Sequence, residues 1–450
     1  MMGSLLYREV LLPRWQPTLE AEIIRLPQDL WMGVFFGEER IGYVHSKETP
    51  QVVEEVEGAL LEFTARFSLT LFERDTELFI DGVAWRSYDA GLENFDFNIK
   101  YGAHAMQIEG VLENGLLDAK LYTAGVTQDF SIPVDETIQL SFGLKTPDVD
   151  MEALKEGDEL FVDTFDPTTM RVTKARMRFE TADTIEVGGR LRKCSVIATT
   201  MGGMTTRAWI SENGTVLRAE TPFGFMLEKI TQAEAFAPLA AQDNADMIQG
   251  LLVKATGIKP MEGAEEMRFR ILGLDKSLYP PNDDFQREYK GVFITGTIKH
   301  ESTLSEEERA HALSSDPLIT ASHPIIQEKA WEIVGNAETD SKKARLIHEW
   351  VYENVEKRPV LSVPSALDVL KTLEGDCNEH TILYTALARA VGVPAKVAIG
   401  LVWSDELGGF GYHAWPEIYL NGQWWPSDPT LGQYIADATH IKLFNGSIDQ

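Results

Sequence analysis

The first half of the chain alternates apolar and polar residues with a period of two. In the clearest run, apolar residues occupy every second position from Phe63 to Leu71, with Thr, Arg and Ser between them. That period is typical of a half-buried β-strand. Shorter runs of the same kind lie at 31–36, 41–45, 78–85, 95–99 and 105–111. Because turn dipeptides rather than long helical patterns separate these runs, we predict an antiparallel β domain over residues 1–235, built as a sandwich or an open barrel.

The pattern changes twice towards the C-terminus. Residues 236–317 mix short apolar runs with a Tyr279-Pro280-Pro281 turn, so we expect a mixed connecting region there. From residue 318 to 450, apolar residues recur at helical spacing, first over 325–334 and then over 341–355. These changes predict a C-terminal α+β domain behind the β domain, and an α+β chain as a whole.

A cysteine stands at the start of the clearest of these helices. Apolar residues from 382 to 391 form one stripe, and a glycine and a proline follow it, as they do at many helix ends. Asp376 fits the N-cap position, and Glu379, three residues later, completes a capping box. We expect these two carboxylates to cap the helix rather than to act in catalysis. Cys377 would then be the first helical residue, where the positive end of the helix lowers the pKa of a thiol.

A β-hairpin follows this helix and carries a histidine and an aspartate. Strands are predicted over 412–420 and 423–428, joined by an Asn-Gly turn, the strongest short hairpin signal. If the strands pair directly across this turn, His413 and Asp428 face the same side as diagonal neighbours, within side-chain reach. Cysteine, histidine and aspartate in this order match the nucleophile, the base and the orienting carboxylate of a thiol acyl-transfer site. We therefore predict that Cys377, His413 and Asp428 are catalytic.

Residues 341–430 resemble the transglutaminase-like superfamily, relatives of the papain-like cysteine proteases. The resemblance is carried by Gly375-Asp376-Cys377, by the helix that ends in Val391-Gly392-Val393-Pro394, by His413-Ala414-Trp415-Pro416-Glu417 and by Trp425-Pro426-Ser427-Asp428-Pro429. It implies a cysteine-bearing helix packed on an antiparallel sheet, with Cys377, His413 and Asp428 as the triad. It also implies a protein or peptide substrate and no cofactor. Because members include cross-linkers, peptidases and amidases, the resemblance leaves open whether water or an amine resolves the acyl-enzyme.

Several assignments stay open at this point. Trp415, Trp424 and Trp425 could wall a substrate channel or belong to the core of the sheet. A zinc ion held by Cys377, His380 and His413, with Asp428, is an alternative to a nucleophile. A second alternative is a non-catalytic binding protein of the cell envelope, because the N-terminal strands resemble β-rich envelope domains that bind lipid-like ligands. In that case an unknown ligand would bind the β domain.

Charge and cysteine content narrow the function and leave the compartment open. The 41 Lys+Arg and 70 Asp+Glu give a formal net charge of −29, which argues against nucleic acid or anionic lipid as a partner and favours a basic or neutral substrate. The two cysteines, Cys194 and Cys377, cannot build a disulfide framework. We find no apolar run that could span a membrane, and residues 1–15 do not resemble a signal peptide. The chain is therefore expected in the cytoplasm, or in the periplasm if a leader or anchor was removed.

Overall fold

The computed structural model describes residues 27–71, 74–89, 91–101, 104–123, 126–134, 138–140, 155–166, 171–201, 204–221, 224–239, 252–273, 279–296, 303–358 and 365–446. The prediction for residues 1–15 lies outside these ranges.

The N-terminal half folds into one sheet of 15 strands. Along the sheet the order runs from β8 down to β1 and then from β15 down to β9, and among its described strands only β9 and β10 are parallel. The strands are β1 Gln28–Phe36, β2 Glu39–Val53, β3 Val56–Leu71, β4 Arg74–Ser87, β5 Gly91–Tyr101, β6 His104–Glu113, β7 Leu116–Thr123, β8 Val126–Pro133, β9 Gln139–Leu140, β10 Glu159–Asp166, β11 Arg171–Val187, β12 Arg190–Met201, β13 Met204–Ile210, β14 Val216–Glu220 and β15 Phe225–Lys229.

This sheet curves so that distant strands share one core. Phe95 of β5 and Phe165 of β10 are both buried, and their ring centroids lie 5.3 Å apart. In β7, buried Leu117, Ala119 and Leu121 alternate with more exposed residues, as the period of two requires. The prediction of a large antiparallel β domain is confirmed. Because all 15 strands belong to one curved sheet, the open barrel describes it better than a sandwich of two sheets.

The segment between the two halves packs against the C-terminal sheet. Helix α1 Gln232–Phe236 still packs on the N-terminal sheet, where the ring centroid of Phe236 lies 5.3 Å from that of Trp31. The elements that follow are α2 Glu306–His311 and a three-stranded sheet of β16 Glu266–Phe269, β17 Gln286–Tyr289 and β18 Val292–Gly296. A capping box of Ser305 and Glu308 begins α2. Val253 pairs with Phe410, and the Gln286 side-chain amide donates a hydrogen bond to the carbonyl of Lys442 at 2.7 Å. These contacts tie the connecting segment to the C-terminal domain.

The C-terminal region combines four helices with a four-stranded antiparallel sheet, in the strand order β23-β22-β21-β24. Its elements are α3 Pro324–Val334, α4 Asp340–Asn354, β19 Glu356–Lys357, α5 Ala366–Thr372, β20 Glu374–Gly375, α6 Cys377–Ala390, β21 Ala395–Ser404, β22 Gly409–Leu420, β23 Gln423–Pro426 and β24 His440–Gly446. The α+β prediction is confirmed here. Strand β24 was not predicted from the sequence.

Helix α6 lies at the centre of this region. Ile382, Leu383 and Leu387 are fully buried or nearly so, and the hydroxyl of Tyr384 donates a hydrogen bond to the carbonyl of Ala344 on α4 at 3.2 Å. A helix buried on so many sides holds its N-terminus in a fixed position. None of the helices in the described ranges has the length and apolar character needed to cross a bilayer.

Candidate active site

Cys377 is the first residue of α6, as predicted. Asp376 is the N-cap, its carboxylate accepts the N–H of Asn378 at 2.9 Å, and the carboxylate of Glu379 accepts the backbone N–H of Asp376 at 2.7 Å. A β-carbon at Gly375 would lie 2.1 Å from the β-carbon of Glu379. Only glycine therefore leaves room for the Glu379 side chain to fold back and complete the capping box.

The start of α6 is joined to β22 at one residue, Ala414. The backbone N–H of Ala414 donates a hydrogen bond to the sulfur of Cys377, and the carbonyl of Ala414 accepts the hydroxyl of Thr381 at 3.0 Å. Ala414 directly follows His413 along β22. These two bonds therefore bring the thiol to the strand that carries the histidine.

The expected lowering of the thiol pKa is wrong. Cys377 keeps some accessible surface, yet burial by the surrounding protein raises its pKa well above the usual value, and the carboxylate of Asp376 raises it further. The hydrogen bond from Ala414 opposes this shift without overcoming it. Desolvation and the neighbouring carboxylate thus favour the thiol form of Cys377 over the thiolate.

His413 and Asp428 meet as the hairpin geometry predicts. Leu420 pairs with Gln423 across the Asn-Gly turn, and Nε2 of His413 lies 2.7 Å from Oδ2 of Asp428. The other carboxylate oxygen of Asp428 accepts the backbone N–H groups of Thr430 and Leu431 at 2.8 and 3.0 Å. Burial opposes ionisation of Asp428, but the charge and hydrogen bonds of His413 and His440 hold its pKa well below the usual range.

A second histidine, His440, binds the same carboxylate and was missed by the sequence analysis. Its Nε2 lies 3.0 Å from Oδ2 of Asp428, and its Nδ1 lies 3.2 Å from the carbonyl of Asp437. His440 is fully buried at the first position of β24. Only a predicted strand after residue 437 could have pointed to His440 in the sequence. No turn motif or residue spacing links this histidine to the hairpin.

Residues 327–429 match the family model of the transglutaminase-like superfamily. The C-terminal part of this chain is a transglutaminase-like domain. The match covers α4, the cysteine-bearing helix and the hairpin, where the sequence resemblance was found.

Curated relatives match about a quarter of this chain. The kyphoscoliosis peptidase of Mus musculus is 25% identical over 135 residues, which cover 26% of this chain and 20% of that protein. An uncharacterized protein of Haemophilus influenzae is 29% identical over 126 residues, covering 22% of this chain and 34% of that protein. The chain therefore spans about a fifth and about a third of the lengths of these two relatives.

Among solved structures, a beta-barrel-like protein from Brucella abortus is 12% identical to this chain, with a TM-score of 0.33. The similarity covers 46% of this chain and 96% of that one.

The three tryptophans of the transglutaminase-like domain differ in burial and packing. Trp415 is buried and packs beside both histidines, with ring centroids 6.1 Å from His413 and 5.1 Å from His440. Trp424 packs under the ammonium of Lys396 at 4.0 Å, and Trp425 packs against the core. Trp415 therefore shapes the histidine pair from within the core, and a role for Trp424 and Trp425 in a channel stays a prediction.

The structure does not bring Cys377, His380 and His413 together as zinc ligands. The Nδ1 of His380 lies 2.7 Å from the carbonyl of Asp376 in its own helix. In the described part of the chain, the group that has ligand atoms within 4.8 Å of one another is His413, Asp428 and His440. Its spacing is that of two hydrogen bonds to one carboxylate oxygen, which explains the group without a metal.

A buried ion pair supports the sheet beside this site. The ammonium of Lys442, on β24, lies 2.7 Å from Oε1 of Glu417, on β22, and also contacts Asp283 of the connecting segment. Burial opposes the charge of Lys442, but these carboxylates raise its pKa above the usual value. The connecting segment thus supplies a charge that the C-terminal sheet needs.

Proposed function

We propose that this chain is a cysteine-dependent enzyme that breaks an amide bond of a protein or peptide by acyl transfer. Cys377 is the nucleophile, His413 the general base and acid, and Asp428 the carboxylate that orients His413. The observation that carries this proposal is the 2.7 Å contact between His413 and Asp428. Ala414, the residue after His413 on β22, binds the sulfur of Cys377.

The tautomer of His413 follows from its partner. An ionised carboxylate only accepts hydrogen bonds, so the Nε2 atom of His413 carries the proton that faces Asp428. The Nδ1 atom is then the basic nitrogen, available to take a proton from the thiol. Since the resting thiol of Cys377 has a raised pKa, this transfer accompanies attack on the substrate rather than preceding it.

The reaction proceeds in two balanced halves. Sulfur bonds to the carbonyl carbon of the substrate while Nδ1 of His413 takes the thiol proton, and the oxyanion receives hydrogen bonds from backbone N–H groups at the start of α6. His413 then gives that proton to the leaving amine, the C–N bond breaks and a thioester remains. Water or a second amine attacks the thioester, with His413 again moving the proton, and frees Cys377.

Hydrolysis is the outcome that we favour. The related mouse protein is named a peptidase, and water reaches an acyl-enzyme unless the site excludes it. The acidic balance of the chain, with a net charge of −29, favours substrates that are neutral or basic around the scissile bond.

A single assay separates the two outcomes. Casein is incubated with the protein in the presence and absence of dansylcadaverine, and new α-amino groups and bound fluorescence are measured side by side. Hydrolysis predicts new amino groups with little fluorescence, and cross-linking predicts the reverse. If neither appears, and no acyl-enzyme on Cys377 is found by mass spectrometry across a peptide library, the proposal fails.

A further inference from the structure

The buried histidine His440 binds only hydrogen-bond acceptors. Its Nε2 faces the carboxylate of Asp428 at 3.0 Å, and its Nδ1 faces the carbonyl of Asp437 at 3.2 Å and Oδ1 of Asp437 at 3.4 Å. A neutral imidazole has one donor and one acceptor nitrogen, whereas an imidazolium has two donors. Because both sides of His440 offer acceptors, both nitrogens must carry protons to satisfy them.

We propose that His440 is a positioning residue of the active site, a cation at neutral pH that holds Asp428 for His413 and balances its negative charge. This inference rests on the proposed function, since it assigns His440 to the Cys377–His413–Asp428 site. The site would then be a row of four groups, in which Asp428 lies between two histidines, rather than a triad.

The surroundings of His440 favour a positive charge. Burial alone would lower its pKa, but the hydrogen bonds and charges of Asp428 and Asp437 outweigh burial and raise the pKa to about 9. The ring of Trp415 meets it edge to face at 5.1 Å, and the ring of His413 lies 5.9 Å away. Further along β24, the ammonium of Lys442 is neutralised by Glu417 and Asp283, so its charge does not oppose a positive charge on His440.

The connecting segment holds the loop before His440 in place. The N–H of Gly263 donates to Oδ2 of Asp437 at 2.7 Å, and the N–H of Ala438 donates to the carbonyl of Ala264 at 2.9 Å. The hydroxyl of Thr295 donates to the carbonyl of Ala438. Asp437, the second acceptor for His440, is thus fixed by residues that lie outside the segment matched by the family model.

The first test measures alkylation of Cys377 by iodoacetamide as a function of pH, followed by mass spectrometry of its peptide. His440→Gln keeps a hydrogen-bond donor but removes the charge, so Asp428 is left unbalanced and a thiolate at Cys377 is less stable. The midpoint of alkylation should rise by about one pH unit. The matched control is His348→Gln, another buried histidine of this domain, whose pKa is lowered by burial. Replacing that neutral imidazole should leave the midpoint in place.

The outcomes separate this inference from the proposed function. If His413→Ala leaves alkylation of Cys377 unchanged, the proposed function fails. If His413→Ala alters it but the midpoints of His440→Gln and wild type coincide, His440 is a structural residue and only this inference is overturned.

A second measurement needs no variant of His440. Nitrogen NMR of the ¹⁵N-histidine-labelled protein is recorded at pH 7.5 on wild type and on His413→Ala. One buried histidine with both ring nitrogens protonated should be present in both samples, so that it cannot be His413. If every buried histidine shows the pattern of a neutral ring, the inference is wrong even where His440→Gln does not fold.

Discussion

Thr381 donates its hydroxyl hydrogen bond to the carbonyl of Ala414 at 3.0 Å, so the nucleophile helix is fixed to the histidine strand one turn below Cys377. The N–H of the same Ala414 binds the sulfur of Cys377. One peptide unit on each side of Ala414 thus sets the distance between the thiol and His413. The geometry of the site depends on this junction as much as on the catalytic side chains.

Replacing Thr381 by valine should weaken this junction. The buried carbonyl of Ala414 would lose its partner, at a cost of about 1–3 kcal/mol in the free energy of unfolding, and the alkylation rate of Cys377 should change. The matched control is Thr385→Val, one turn later on the same helix. Its buried hydroxyl has no hydrogen-bond partner among the described residues, so valine there should be neutral or stabilising. Urea unfolding of both variants checks this, and equal losses would contradict the role of Thr381.

Gly375→Ala should disturb the start of α6. The new β-carbon would meet the Glu379 side chain at 2.1–2.4 Å, so the capping box must open and Cys377 must move. We expect a lower melting temperature and an altered rate of Cys377 alkylation. At Gly411, two residues before His413, a β-carbon would meet its nearest atom at 3.8 Å. Gly411→Ala should therefore be tolerated. If Gly375→Ala has the same melting temperature and alkylation rate as Gly411→Ala, the close contact of Gly375 with Glu379 is contradicted.

Lys442→Met should destabilise the domain strongly. The buried carboxylate of Glu417 would lose the ammonium that it faces at 2.7 Å and keep that of Lys396 at 3.3 Å, so the loss should approach about 3–5 kcal/mol, the cost of breaking a buried pair. The double variant Lys442→Met, Glu417→Gln should recover part of that loss. The comparison pair Arg345 and Glu349 lies exposed on α4 at 2.9 Å, and Arg345→Met should have little effect. Denaturant unfolding that shows similar effects at both pairs would contradict a buried ion pair.

The charge of His440 should make stability depend on pH. Its pKa is about 9 in the folded chain and about 6.5 in an unfolded one. A raised folded pKa adds stability that is complete below about pH 6.5 and is lost as the pH rises through about 9, at most about 3 kcal/mol. The unfolding free energy should therefore decrease more between about pH 6 and about pH 9.5 in wild type than in His440→Gln. Parallel pH profiles of the two proteins would refute the assignment.

Local signals in the sequence were sufficient to predict the backbone positions of Cys377, His413 and Asp428. The capping box places Cys377 at the first position of α6, and the Asn-Gly turn sets the register that brings His413 to Asp428. Both depend on residues a few positions apart, where turn and cap chemistry determine the geometry. The division into domains at 235 and 317 remains a prediction.

What the sequence could not supply depends on distant contacts. His440 lies on β24, which pairs with β21 although no hairpin connects the two strands. Trp415 shares the face of His413 but is covered by the rest of the domain, so alternation could not tell a channel wall from the core. The pKa of Cys377 was misjudged for the same reason, since the helix end is visible in the sequence and the desolvation is not.

The central claim, that Cys377 acts with His413 and Asp428, is tested most directly by trapping the acyl-enzyme. A peptide that is turned over is mixed with wild type, His413→Ala and Asp428→Asn, and the mass of the Cys377 peptide is followed in time. We expect a transient thioester on Cys377 in wild type. The rate of its formation should fall by a factor of roughly 10²–10⁴ in His413→Ala and should also fall strongly in Asp428→Asn. Acylation of Cys377 at the wild-type rate in His413→Ala, or turnover by Cys377→Ala, would contradict the account.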